Sequence, residues 1–330
     1  MFKRIVVPLD GSRLAEGALN HAVAVALACQ AELQLIRVVE RRSGEGRGVT
    51  DLLDWQLRMA EARSYLEVLA NQLQQHGVAA EIAALEGAPA TRIIDYTHER
   101  DGDLIILSSH GRSGLERWNV SGVVQKVIQE AKTSLLLVRA YEEPEWKGAP
   151  TAYRRIMVPL DGSKRAECTL PLAEKLARYW NAELLFVHVL VPPRMFHHLP
   201  PSTEEVDYLE WFLERNREEA LQYFEALQER LPIRSQVRVR VNDDVVEAFH
   251  DIVHRDAVDL LLLTAHGHSC SPHRRYGSLV TGCLLFGCGP SLVVQDRRPE
   301  AIEATGAERV IEAMETEGIR LPEGSQYPLL

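Results

Sequence analysis

Long apolar runs are missing. None of the 330 residues falls in a stretch approaching the roughly 20 apolar positions a membrane helix needs. Basic charge is short as well: 37 Lys and Arg stand against 47 Asp and Glu, for a net charge of −10. That balance argues against a nucleic-acid backbone as the main partner, because such binders carry a basic face. Cysteine is scarce and odd in number: Cys29, Cys168, Cys270, Cys283 and Cys288. This is no disulfide framework, and buried free thiols are expected. No G-x-G-x-x-G follows the first apolar strand and no GxxxxGK[ST] occurs, which sets aside a classical dehydrogenase and a P-loop enzyme. No Ser-His-Asp set or carboxylate pair can be argued from spacing. The start, MFKRIVVPLDGS, runs straight into a strand without a secretory apolar region, so a cytoplasmic protein is expected.

What is present is a repeat. Residues 4–12 read RIVVPLDGS and residues 155–163 read RIMVPLDGS, differing only at Val6 and Met157. Two copies imply two similar domains. Each copy begins with a short unbroken apolar run, as in a strand covered on both faces. Pro8 and Pro159 end the ladder because they donate no N–H. Asp10-Gly11-Ser12 and its counterpart then make a turn or helix start, with Asp and Ser as candidate caps. Asp10 and Asp161 therefore belong at the carboxyl end of a first parallel strand, where open α/β sheets bind ligands.

Along the first copy the pattern alternates strand and helix: a helix over 14–28, a strand over 33–39, a long amphipathic helix over 52–75, then strands over 78–85, 103–107 and 134–138 with helices near 91–99 and 122–130. Residues 43–50 and 108–121 are expected as loops. Residues 140–153 are polar, contain two prolines and read as a linker. The second copy repeats the order over 154–296. Its offset grows from 151 at Asp10/Asp161 to 156 at His110/His266, so five residues are gained between Val189 and Asp259. The expected domains are 1–139 and 154–296, followed by an acidic tail, 297–330, in which Ala301 to Glu315 has the spacing of an amphipathic helix. The fold class is α/β: two tandem open parallel five-stranded sheets with helices on both faces.

A second doubled feature lies after the fourth strands. The first copy reads LIILSSHGRSGLERWNVSGVVQKV and the second LLLLTAHGHSCSPHRRYGSLVTGC. With the doubled PLDGS strand and the tandem order, these loops resemble the universal stress protein family, whose phosphate motif is G-x2-G-x9-G-[ST]. The resemblance spans roughly residues 3–139 and 154–295. It implies a Rossmann-like, adenine nucleotide alpha hydrolase-like fold that binds ATP or another adenine nucleotide, with Mg2+ as a candidate companion ion. It also implies that the first-strand Asp meets the ribose, backbone after the second strand meets adenine, and the glycine loop with the following helix start holds phosphate. The matching positions are Asp10, Val38, Ser108, Gly111, Ser121 and Gly122 in the first copy. In the second they are Asp161, Val189, Thr264, Gly267, Gly277 and Ser278.

Physical chemistry supports such roles. Glycine lets backbone N–H groups approach an anion, and a helix N-terminus adds aligned N–H groups and positive potential. Both copies depart from the motif. Ser108 and Thr264 replace the first glycine, and the first copy swaps the final pair to Ser121-Gly122, adding a Cβ and removing the hydroxyl from the helix start. The second copy is therefore expected to be the better nucleotide site. Its loop also carries His266, His268, Cys270, His273, Arg274 and Arg275. The arginines are either phosphate partners or part of a solvated loop; the His/Cys spacing matches no standard zinc pattern, and no metal site is assigned.

Three functions are weighed. The first is a nucleotide-binding stress or regulatory protein whose halves pair as a pseudo-dimer through the fifth-strand edges, Leu135 to Val138 and Leu292 to Val294. Further dimerisation of tandem chains stays open. The second is a scaffold or interaction protein with degenerate pockets. The third is an enzyme with at most weak ATP hydrolysis, since no catalytic residue stands out. An ATP pyrophosphatase would want an SGGxDS-like loop, which DGSRLAEG is not.

Overall fold

The computed structural model describes residues 1–40, 49–111, 120–139, 146, 148–193, 202–267, 275–287 and 289–296. The expected tail helix, the 43–48 part of the first loop, and His268, Cys270, His273 and Arg274 lie outside the described residues. The first half runs β1 (Arg4–Pro8), α1 (Arg13–Glu16), α2 (Ala18–Cys29), β2 (Glu32–Val39), α3 (Val49–Gln75), β3 (Ala80–Glu86), α4 (Pro89–Glu99), β4 (Leu104–Ser108), α5 (Gly122–Glu130) and β5 (Ser134–Val138). The second runs β6 (Arg155–Pro159), a 3-10 turn (Ala166–Thr169), α6 (Leu170–Trp180), β7 (Glu183–Leu190), α7 (Thr203–Arg230), β8 (Ser235–Val241), α8 (Val245–Arg255), β9 (Leu260–Thr264), α9 (Ser278–Phe286) and β10 (Ser291–Val294).

All ten strands form one sheet in the order β3-β2-β1-β4-β5-β10-β9-β6-β7-β8. Within each half every pairing is parallel. The join is antiparallel, with Leu136 opposite Leu292 and Leu135 opposite Val293. The carboxyl ends of the two halves therefore lie at opposite edges of the sheet. The apolar runs that make these strands are buried on both faces: Ile5, Val6, Val7, Leu135, Leu136 and Leu137 are all fully buried. Helices α2, α3, α6 and α7 cover one face and α4, α5, α8 and α9 the other. Each leucine so buried is worth roughly 1.5–3 kcal/mol relative to exposure.

Repetition extends to the wiring. Asp103 Oδ2 accepts the Lys3 and Arg4 amides at 2.6 and 3.0 Å. Asp259 Oδ2 does the same for Arg154 and Arg155 at 2.6 and 2.8 Å. These carboxylates satisfy amides at the starts of β1 and β6.

Two expectations change in detail. The helix expected over 14–28 breaks at Gly17 into α1 and α2. The linker is docked: Trp146 is buried, its Nε1 donates to Gln72 Oε1 at 3.2 Å, and Tyr153 is 1% exposed. No helix among the described residues is long and apolar enough to cross a membrane.

Candidate functional site

Each half reverses its strand order between its first and fourth strands. β1 leads to β2 and β3 on one side, while β4 and β5 lie on the other. Such a switch leaves a crevice at the carboxyl ends of the strands. Both doubled motifs converge there.

In the first half Asp10 Oδ1 accepts the Ser12 amide at 2.9 Å, making an Asx turn across Gly11, whose φ is +81°. Ser12 Oγ then caps α1 by accepting the Ala15 amide at 3.2 Å. The second half copies this: Asp161 Oδ1 takes the Ser163 amide at 3.0 Å and Ser163 Oγ takes that of Ala166 at 3.1 Å. The capping role belongs to Ser, and the Asp closes the turn.

The other carboxylate oxygen faces the loop after the fourth strand. A Cβ built on Gly267 would lie 2.5 Å from Asp161 Oδ2, and one on Gly111 would overlap Asp10 Oδ2 outright. A side chain at either place would have to displace the Asp carboxylate. Asp10/Gly111 and Asp161/Gly267 are thus contacting pairs that tie the PLDGS strand to the HG loop.

The loops end at helix starts pinned to the fourth strands. The Ser121 amide donates to Ser109 O at 3.0 Å and the Gly277 amide to Ala265 O at 2.7 Å. Gly277 has φ −61° and ψ 158°, and Ser121 has φ −60° and ψ 153°. The two backbones coincide, and a Cβ on Gly277 would meet only Ala265 O, at 3.5 Å. The Ser-Gly swap therefore costs the first half no backbone freedom, contrary to the expectation from sequence. It moves the hydroxyl onto the N-cap, where Ser121 Oγ accepts the Val124 amide at 3.3 Å. Among the described residues the start of α9 has no side-chain cap. Ser278 and Gly122 are exposed, and Val38 and Val189 sit half-buried near the carboxyl ends of β2 and β7.

The fourth-strand ends differ more. Ser108 and His110 are buried, and Ser108 Oγ and His110 Nε2 have no hydrogen-bond partner among the described residues. His110 Nδ1 meets Ser109 Oγ at 3.0 Å. In the second half the equivalent groups are engaged. Thr264 Oγ1 lies 3.3 Å from Cys168 Sγ. His266 Nδ1 lies 2.7 Å from Asp296 Oδ1, whose Oδ2 accepts from Arg165 at 2.6 Å. Burial pushes the Asp296 carboxyl up, but the hydrogen bonds and charges of His266 and Arg165 outweigh it and hold the group below its ordinary value. This triad escaped the sequence reading. Its signal was a charge reversal between copies, since Asp296 follows β10 where Arg139 follows β5. Arg275, expected at a phosphate or on a solvated loop, is 5% exposed.

No group of three or more His, Cys, Asp or Glu capable of holding a metal occurs among the described residues. A cleft of about 200 Å3 between β8 and α8 and one of about 310 Å3 between α6 and α7 both lie away from the two loops.

The model of the universal stress protein family matches residues 1–139 and 152–284. A universal stress protein of Methanocaldococcus jannaschii is 31% identical over 142 residues, covering 42% of this chain and 83% of that protein. A putative universal stress protein from Pseudomonas aeruginosa UCBPP-PA14 superposes with a TM-score of 0.65 at 14% identity, over 91% of this chain and 95% of its own. One from Archaeoglobus fulgidus does so with a TM-score of 0.61 at 15% identity, over 89% and 98%. At these identities the two structures attest the shared fold.

Proposed function

The chain belongs to the universal stress protein family, and on that premise we propose that it binds an adenine nucleotide, ATP by preference, and acts in stress response or regulation without being a metabolic catalyst. The observation that carries this reading is the contact of the first-strand Asp with the HG-loop glycine at the switch point, doubled in the two halves. A carboxylate there is suited to ribose hydroxyls, and the adjacent helix start to phosphate. Residues 1–139 and 154–296 act in this reading as two copies of one binding unit joined by 140–153.

The halves are unequal hosts. The α9 start keeps its N–H groups clear of any side-chain cap, whereas Ser121 Oγ claims one at α5. This supports the second half as the tighter phosphate site, with Asp161, Val189, Thr264, Gly267, Gly277 and Ser278 around it. The first half offers Ser108 Oγ and His110 Nε2 instead, buried polar atoms that a ligand or Mg2+-bound water would satisfy. Calorimetric titration with ATP and Mg2+ tests the reading. Asp161→Ala is expected to weaken binding more than Asp10→Ala, and the double variant to abolish it. Wild-type protein with no heat of ATP binding and no co-purified nucleotide refutes it. The second reading, a scaffold with degenerate pockets, rests on Ser108 and Thr264 standing where the family has glycine, and predicts that neither substitution changes anything.

A further inference from the structure

Helix α8 lies on the outer face of the second half. Its buried side, Ala248, Phe249, Ile252 and Val253, is sunk in the core, and Asp244 caps its start by accepting the Val246 and Glu247 amides at 2.9 and 3.1 Å. On its exposed side His250 and His254 stand one turn apart, their ring centroids separated by 4.3 Å. Their Nε2 atoms are 3.1 Å from each other. We propose that His250 and His254 form a chelating pair for a borderline divalent transition-metal ion, with water filling the remaining positions.

The span is a chelating one. With metal–nitrogen bonds of about 2.05 Å, nitrogens this far apart subtend about 100° at the metal, between the octahedral and tetrahedral angles. Imidazole nitrogens select Cu2+, Ni2+ and Zn2+ over Mg2+ or Ca2+, which want oxygen, so this site is chemically distinct from any Mg2+ accompanying phosphate. The helix holds both rings before the ion arrives, so chelation orders little besides the side chains. The nearest cation on the same helix, Arg255, is paired with Asp251 at 3.0 Å, which offsets its repulsion. The pair belongs to the second half alone. At the equivalent positions of α4 the first half has Ile94 and His98, a single imidazole.

A competing account makes the 3.1 Å contact an N–H···N hydrogen bond between neutral rings with no affinity for metal. Titration of the full chain with Ni2+, followed by calorimetry and by the histidine ring signals in NMR, separates the two. Wild-type protein is expected to show a site at which the His250 and His254 signals respond together. His250→Gln and His254→Gln should each weaken that site about a hundredfold, because the second bond of a chelate is intramolecular. The double variant should lose the remaining imidazole and with it the site, and His98→Gln should leave the site intact. Single variants that bind Ni2+ like the wild type, or a double variant that keeps the site, overturn the proposal.

Discussion

A methyl group on Gly267 would arrive 2.5 Å from Asp161 Oδ2, and one on Gly111 would collide more severely with Asp10. Gly267→Ala is therefore expected to push Asp161 out of the crevice at little cost in urea unfolding, and Gly111→Ala, which also crowds Asp10 Cγ, to cost more. Gly277→Ala, with ordinary φ and only a 3.5 Å contact, should be close to neutral for stability. Asp296 provides a pH test. Its folded carboxyl lies below the ordinary value of 3.8, so its contribution is full above that value and is lost as pH falls toward the lower folded one. Asp296→Asn should lower stability at neutral pH by about 1.5–3 kcal/mol, toward the smaller figure because Arg165 is 38% exposed. The gap between wild type and variant should narrow as unfolding is measured from about pH 5 down to pH 2. At this scale each Asp and each HG glycine was legible, being doubled in the sequence. Their mutual contact was not, since it joins positions about 100 residues apart. The Asp296 triad was hidden because its members make sense only once three chain segments meet.

Among elements, the fifth strands and the helices beside them matter most. Arg139 leaves β5, is buried, and donates through Nη2 to Leu284 O at 2.7 Å and Cys283 O at 3.1 Å, at the last turn of α9. A guanidinium there adds to the bond Cys283 O already accepts from the Gly287 amide, serves Leu284 O, and complements the helix dipole. In return Tyr276 Oη donates to Thr133 O at 2.7 Å. On the opposite face Trp180 Nε1 donates to Ala24 O at 3.3 Å, and Tyr153 Oη lies 2.9 Å from His21 Nδ1. Arg139→Met should therefore destabilise by about 2–4 kcal/mol, as two bonds from a charged donor are lost while the carbonyls stay buried, and thermal unfolding will register it. Alternating β and α segments were readable from hydrophobic period, and the strand cores match the apolar runs closely. The docking of Trp146 and Tyr153 was not readable, because their neighbours in sequence are polar and their partners sit on α2 and α3.

For the molecule as a whole, continuity of the sheet carries a thermodynamic expectation. Strand β5 and the first three residues of β10 are buried, and the join is bridged on both faces, so neither half has a complete surface without the other. Urea unfolding followed by far-UV dichroism and by tryptophan fluorescence should give one coincident transition; two separated transitions would show the halves to be independent. The antiparallel join has a consequence for how the copies age. Because it points the strands of the two halves in opposite directions, the two crevices open at opposite strand ends. The strands at the join are shared instead, since a change in β5 meets β10 directly. The PLDGS strands stay nearly identical between the copies, while the HG loops and the residues that leave the seam strands, Arg139 and Asp296, have diverged.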